Sequence, residues 1–412
     1  MKKYVFLTFS IANLGGQEMY VRSKLLYLKK NGWEVNIFSI NKGEIYIHDF
    51  DSYTKQIIPK LGTPTYLTLK HDKKKVIRVL LDSIRNEVFE ELVIESHSIF
   101  FATWGELLAK ELNCKHIVYS LIEENQLKDK ELLEFAEFKH KRKELAGITR
   151  NYVHDMLHSY REISLQESYH LVAYSSDIVE DYAHPILRSI PKGDYTIGNI
   201  GRLGKTYLLP VLDDIILYIN KKFPAIFNVI IIGGDPELIK IQRKIRLKFK
   251  QVPNANLVMT GYIYPIPKKL ITLADVFISV SGSAVISEKL GVPTISIDVN
   301  DFKPIGVLGF TTKNIIFRDR EPVIPLGVLL DEVLISKYYK KEIIDLSNCS
   351  IPDFSPHMKF ILESEQSKEY YDINTKIPFR ILMKFKDVIK NLICFFLGKN
   401  EFKRLKAKYS NI

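Results

Sequence analysis

Short apolar runs alternate with amphipathic stretches in two successive series, and glycine or small polar residues stand where the runs end. In the first series Tyr4–Phe9 is a run of strand type, and the loop after it closes on Gly15-Gly16. Gln17–Lys30 then repeats its apolar residues at helical spacing (Met19, Val21, Leu25, Leu26, Leu28) up to Asn31-Gly32, and Glu34–Ile40 is a second strand. Such alternation predicts parallel βαβ units, because a helix must carry the chain back over the sheet between parallel strands. Leu92–Glu95 is a strand ending at Ser96-His97-Ser98, Ile99–Leu112 a helix, His116–Leu121 a strand and Leu171–Ser175 another. Residues 127–167 read as charged helix.

Residues 186–194, containing Pro191 and Gly193, form a linker, and a second series follows. Tyr195–Ile200 leads into Gly201-Arg202-Leu203-Gly204-Lys205 and a helix over 207–221. Phe227–Ile232 ends in Gly233-Gly234, Leu238–Phe249 is a basic amphipathic helix, and Asn256–Met259 is followed by Gly261-Tyr262. Asn314–Phe317 reads as a strand and 325–338 as a helix. The predicted fold class is α/β, with two Rossmann-like, doubly wound domains, 1–185 and 195–365. Residues 366–412 make a basic, amphipathic C-terminal helix and tail.

Residues 274–298 hold the most informative stretch. A strand (Val276–Val280) meets a small-residue turn, Ser281-Gly282-Ser283-Ala284, and then a helix with Glu288 on it and Gly291 beyond its end. Ser283 is the expected N-cap. A helix N-terminus behind small residues is an anion site, because free N–H groups and the helix dipole meet a ligand that can come close.

The charge pattern excludes a basic nucleic-acid cleft. From Lys376 onward ten Lys/Arg face two acids, a net +8, which leaves +3 of the chain's +11 for everything before. The chain shows no metal-binding spacing of Cys and His, no P-loop and no run long enough to span a membrane. Three isolated cysteines suit a reducing cytosol.

Taken in order, the pieces resemble the GT-B glycosyltransferases, specifically the large retaining group 1 or family 4. Gly15-Gly16-Gln17-Glu18, Gly201-Arg202-Leu203 with Lys205, the strand ends at Gly233-Gly234 and Gly261-Tyr262, and Ala274–Ile278 through Gly291-Val-Pro-Thr carry the likeness. The resemblance implies a nucleotide diphosphate sugar as donor, here a UDP-sugar, with Arg202 and Lys205 on the diphosphate. Gly15, Gly16, Gly234, Ser281, Gly282, Ser283 and Ala284 would line the donor site, Tyr262 the base and Glu288 the ribose. His97 would stand near the transferred sugar. No metal or cofactor is required if the cations and the helix end stabilise the leaving group. The chain departs from the family at one point: a second glutamate eight residues before Glu288 is replaced by Val280, so the loop reads as shortened.

The predicted tail helix, Phe379–Leu397, combines an apolar stripe with Lys384, Lys386 and Lys390. It fits an anionic membrane surface and a glycan or lipid-linked acceptor. The tail suits a cytoplasmic protein, peripheral at the inner face of the membrane, and the resemblance implies sugar transfer with retention in polysaccharide assembly. The competing readings are a catalytically silent GT-B partner of another transferase and a GT-B UDP-sugar epimerase.

Overall fold

The computed structural model describes residues 1–372 other than 13, 42, 44, 85–88, 122–126, 128, 159, 174–177, 235–238, 340–351 and 365–368. The predicted tail helix over 379–397 lies outside the described residues. In chain order the first half contains β1 (Lys2–Thr8), α1 (Gly16–Lys30), β2 (Trp33–Ser39), β3 (Thr54–Ile57), α2 (Lys70–Ile84), β4 (Glu91–Ser96) and α3 (Ile99–Leu112). It continues with β5 (Lys115–Ser120), α4 (Lys130–Lys141), β6 (Leu145–Gly147), α5 (Arg150–His158) and β7 (Val179–Glu180).

β1 to β6 form one parallel sheet in the order β3-β2-β1-β4-β5-β6. Alternation along β1 sends Tyr4 and Phe6 into the core shared with α1, and Val5 and Leu7 into the core shared with α2 and α3. The strand is buried on both faces, which is why it reads as an unbroken apolar run.

The second half contains β8 (Tyr195–Ile200), α6 (Leu208–Lys221), β9 (Phe227–Ile232), α7 (Ile239–Phe249), β10 (Ala255–Met259), β11 (Ile266–Pro267), α8 (Lys268–Thr272) and β12 (Val276–Ser279). Then come α9 (Gly282–Lys289), β13 (Thr294–Ile297), β14 (Pro304–Val307), α10 (Leu326–Leu330) and α11 (Ser355–Glu363). Its sheet runs β10-β9-β8-β12-β13-β14, parallel except for the antiparallel edge strand β14. One face packs Val229, Ile231, Val276 and Ile278 under α6, α7 and α10. Burying each such side chain contributes about 1.5–3 kcal/mol. Gly198 is fixed by packing, since a Cβ there would lie 2.5 Å from the Phe277 ring.

Several expectations change. His170 makes a single bridge to Gly147, and residues 171–173 are not a strand; 174 and 175 lie outside the described residues. The stretch 314–317 is irregular, because its carbonyls serve loops: Ile315 accepts from Ser281 and Ile316 from Val299. The helix expected over 325–338 is α10 followed by a π-helical turn at Asp331–Ile335. The charged region 127–167 breaks at β6, a three-residue strand too short to show a period.

The last described segment makes contacts across the two halves of the chain. Phe354, Phe360 and Ile361 join the core of the first domain. Lys115 Nζ donates to the Ile361 carbonyl at 2.9 Å, and Tyr371 N–H to Glu106 at 2.9 Å. Phe354, Phe360, Ile361 and Tyr371 therefore pack on the first domain, although 354–361 fall within the stretch assigned in sequence to the second.

Candidate functional site

Each sheet reverses its strand order once, between β1 and β4 and between β8 and β12. The crevice beyond the strand ends at such a reversal is where open α/β sheets bind ligands. In the second domain the crevice is built from backbone and glycine. Ile200 N–H donates to Ser279 Oγ at 3.2 Å, and Asn199 Nδ2 to the Ile278 carbonyl at 2.6 Å, which ties the β8 end to β12. Gly233 has φ +127°, and a Cβ on it would lie 2.4 Å from the Gly201 carbonyl. Gly233 N–H bonds the Gly261 carbonyl at 3.2 Å, and a Cβ on Gly234 would meet Tyr262 N at 3.1 Å. The strand ends carrying Gly201-Arg202, Gly233-Gly234 and Gly261-Tyr262 thus close into one cluster.

Only Val280 and Ser281 separate β12 from α9. Ser281 is held at φ 59°, ψ −139°, a costly conformation for a residue with a side chain, and its N–H bonds the Ile315 carbonyl at 2.6 Å. It takes the N-cap position assigned in sequence to Ser283, whose hydroxyl donates to the Val280 carbonyl at 2.7 Å. Among the described residues no side chain caps α9, and a Cβ on Gly282 would meet nothing within 4 Å. Ala284 is buried at the helix start. Glu288 is six residues along from Gly282, about 9 Å of helix rise, so it suits a group beyond the one at the helix end.

The first domain sets a second helix N-terminus across the gap. Gly15 precedes α1 with no side-chain cap, and Gly16 opens onto space. Gly15 is tight for a different reason: a Cβ there would lie 2.9 Å from Glu18 Oε2. Glu18 folds back in the first turn and is bonded by Ser10 and by its own N–H. Burial raises its carboxyl above the usual range, and Arg202 of the other domain opposes that rise. Arg202 is exposed, and Lys205 N–H closes a turn on its carbonyl at 3.2 Å. Tyr262 lies against Tyr46 of the first domain, ring centroids 5.1 Å apart, and Arg22 lies 5.8 Å from the Tyr264 ring.

His97, expected beside the transferred sugar, is tied into the first domain through both ring nitrogens. It is buried in the β1/β4 crevice, with Nδ1 at 2.8 Å from Thr8 Oγ1 and Nε2 at 2.9 Å from Glu95 Oε1. Burial lowers its pKa and Glu95 opposes this, so the ring is neutral at pH 7. Both nitrogens are engaged inside the domain. Glu95 also accepts from Tyr4 at 2.6 Å, from Tyr20 at 2.9 Å and from Lys24. Burial alone would raise the Glu95 carboxyl; Lys24 and His97 outweigh it and hold it well below the usual range.

Two residues gain a place that sequence reading did not assign. Glu18 was visible as the fourth residue of Gly-Gly-x-Glu. Asn199 was hidden inside an apolar strand; its Oδ1 is buried without a hydrogen-bond partner near the Gly201 turn. Among the described residues no cluster of His, Cys, Asp and Glu could hold a metal ion.

Two doubly wound domains meeting across their strand ends define the GT-B fold, and this chain has it. No family model and no curated protein matches the sequence. Solved structures do match over nearly the whole chain. A glycosyltransferase from Rickettsia africae is 15% identical and superposes with a TM-score of 0.57 over 95% of this chain and 99% of that one. Anabaena HepE in complex with UDP-glucose is 11% identical, with a TM-score of 0.56 over 94% and 100%. Sucrose-phosphate synthase from Thermosynechococcus elongatus is 12% identical, with a TM-score of 0.55 over 96% and 100%. At these identities the likeness concerns the fold.

Proposed function

We propose that the chain is a glycosyltransferase that takes its sugar from a UDP-sugar bound at the second domain. The observation that carries this reading is the pair of glycine-opened helix N-termini, α1 and α9, with Arg202 close enough to Glu18 of α1 to act on its carboxyl. Helix ends and a cation together suit a diphosphate. A glycosyltransferase among the structural neighbours, and a second neighbour in complex with UDP-glucose, support the same reading.

In this proposal the diphosphate lies along the Gly282 turn, with Arg202 and Lys205 as its cations and Glu288 on the ribose. The bond from the anomeric carbon to the diphosphate breaks, and the acceptor hydroxyl attacks on the same face, giving retention. Its proton passes to the leaving phosphate, and the charge that develops there is stabilised by Arg202, Lys205 and the helix N-terminus. His97 positions the β1/β4 crevice; touching a sugar would cost it the Thr8 or Glu95 bond. A lipid-linked glycan as acceptor, with the basic tail at an anionic membrane, completes the proposal.

Calorimetry with UDP, GDP and ADP tests the donor site. UDP is expected to bind, and Arg202→Ala to weaken it about tenfold to a hundredfold. Donor turnover with lipid-linked acceptor extract, read with Glu288→Ala, tests the chemistry, and the anomeric configuration of the product tests retention. Loss of UDP binding in neither substitution would sink the donor site. A silent GT-B protein is the second reading, favoured by the engaged His97 and by Val280 in place of a carboxylate; it predicts UDP binding without turnover.

A further inference from the structure

The outer face of α7 has no part in the proposed site. From Ile239 to Gln251 the chain carries six Lys/Arg and no acid. Ile245 and Phe249 turn inward to the core beneath the sheet. Lys240, Arg243, Lys244, Leu247 and Gln251 recur at i, i+3, i+4, i+7 and i+11, so they form one outward stripe, and all five are exposed. Lys248 is ion-paired with Asp213 of α6, which sets the two helices side by side.

The same surface exposes large apolar side chains. Leu247 is 57% exposed and Ile239 69%; on the α6 side Leu217 is 58% and Phe223 69% exposed. α7 has already buried Ile245 and Phe249, and the apolar residues outside are left largely exposed among the described residues. Single exposed leucines are ordinary, but several set among cations on two adjoining helices form a distinct surface.

We propose that the α6–α7 face docks on an anionic membrane. Cations there draw in anionic headgroups, while Leu247, with Leu217 on the adjoining helix, enters the headgroup boundary. Polar nucleic-acid backbones would use the cations and leave the leucines in water. The surface is separate from the donor crevice and stands whether or not the transferase reading holds.

Co-sedimentation of the full chain with vesicles decides it. One set is phosphatidylcholine alone, and the other is equal parts phosphatidylcholine and phosphatidylglycerol. The native chain is expected to bind the mixed vesicles and to release them as salt rises. The double variant Lys240→Glu, Lys244→Glu is expected to bind them at least tenfold more weakly, and Leu247→Ser several-fold more weakly, both with native circular dichroism and native UDP binding. Native-like vesicle binding by the folded double variant overturns the proposal. So does a native chain that ignores both vesicle types, or a double variant that loses only an oligonucleotide probe.

Discussion

The two sheets share one winding and have opposite interiors. The first domain buries Lys24, Glu95, His97, Glu106, His116, Lys139 and Glu144; among the described residues of 195–353, Asp298 is the one buried charged side chain. Alternation along β4 separates two networks. Glu95 faces α1, with Tyr4, Tyr20 and Lys24. Ser96 faces the other way, to His116 Nε2 at 3.0 Å, and His116 reaches Glu106 at 2.9 Å, which also accepts from Lys139 at 2.8 Å. The second domain fills its interior with Ile, Val and Leu and concentrates its special chemistry in backbone at the strand ends. Directional side-chain bonds hold one crevice in shape, and close-packed glycines hold the other. A protein that must present two fixed faces to one ligand can reach rigidity by either route.

The largest expected effect breaks the first route. Glu95→Ala leaves Lys24 buried without its partner and should cost about 3–5 kcal/mol, read as a lowered denaturation midpoint. A loss under about 1 kcal/mol would mean the network is ornamental. The second route breaks by volume. Gly198→Ala pushes a methyl into the Phe277 ring and should cost about 1–3 kcal/mol, with UDP binding lowered alongside because β8 carries the Arg202 turn.

Acid should separate the domains more gently. Burial, with Lys139, lowers His116 to about 4, and burial, with Lys24, lowers His357 to about 3. Their unfolded pKa is near 6.5, so the unfolded chain binds the extra protons as pH falls. Stability of the first domain is then full above about 6.5 and drains away toward 4 and 3. Tryptophan fluorescence follows it, since Trp33 and Trp104 both lie in the first domain. A flat profile between 6.5 and 4 would contradict the buried, neutral histidines.

The smallest effect sharpens the interface. Glu18 has a raised pKa, so ionising it opposes folding; its contribution is present at low pH and is lost as pH rises through the folded value. Glu18→Gln should therefore be the more stable form at pH 8, with the gap narrowing in acid. A variant less stable at pH 8 would show that the Arg202 attraction outweighs burial.

Much of this architecture could be read from periodicity. β1, β2, β4, β8 and β9 are buried on both faces and stand out as apolar runs, and α1, α3, α6 and α7 keep helical spacing. β6 and β14 were missed, one being three residues long and the other led by proline. The glycine turns were legible because a close approach needs glycine whatever the distance in sequence. The Glu95 network was not, since Tyr4, Tyr20, Lys24 and His97 reach one carboxylate from three separate elements. The Ser281 cap was misplaced because a positive φ at serine leaves no trace in composition.

The return of α11 has a consequence for how the protein is made. Tyr20 meets His357 Nδ1 at 3.3 Å, His357 Nε2 meets the Val172 carbonyl at 2.9 Å, and Tyr371 N–H satisfies Glu106. Both ionic networks of the first domain are thus completed by residues synthesised after the entire second domain. Before that segment is made, Tyr20 has its bond to Glu95 and Glu106 its bonds to His116 and Lys139, and only the closing contacts await the last-made residues. A chain cut before Phe354 is therefore expected to carry a first domain with a lower denaturation midpoint.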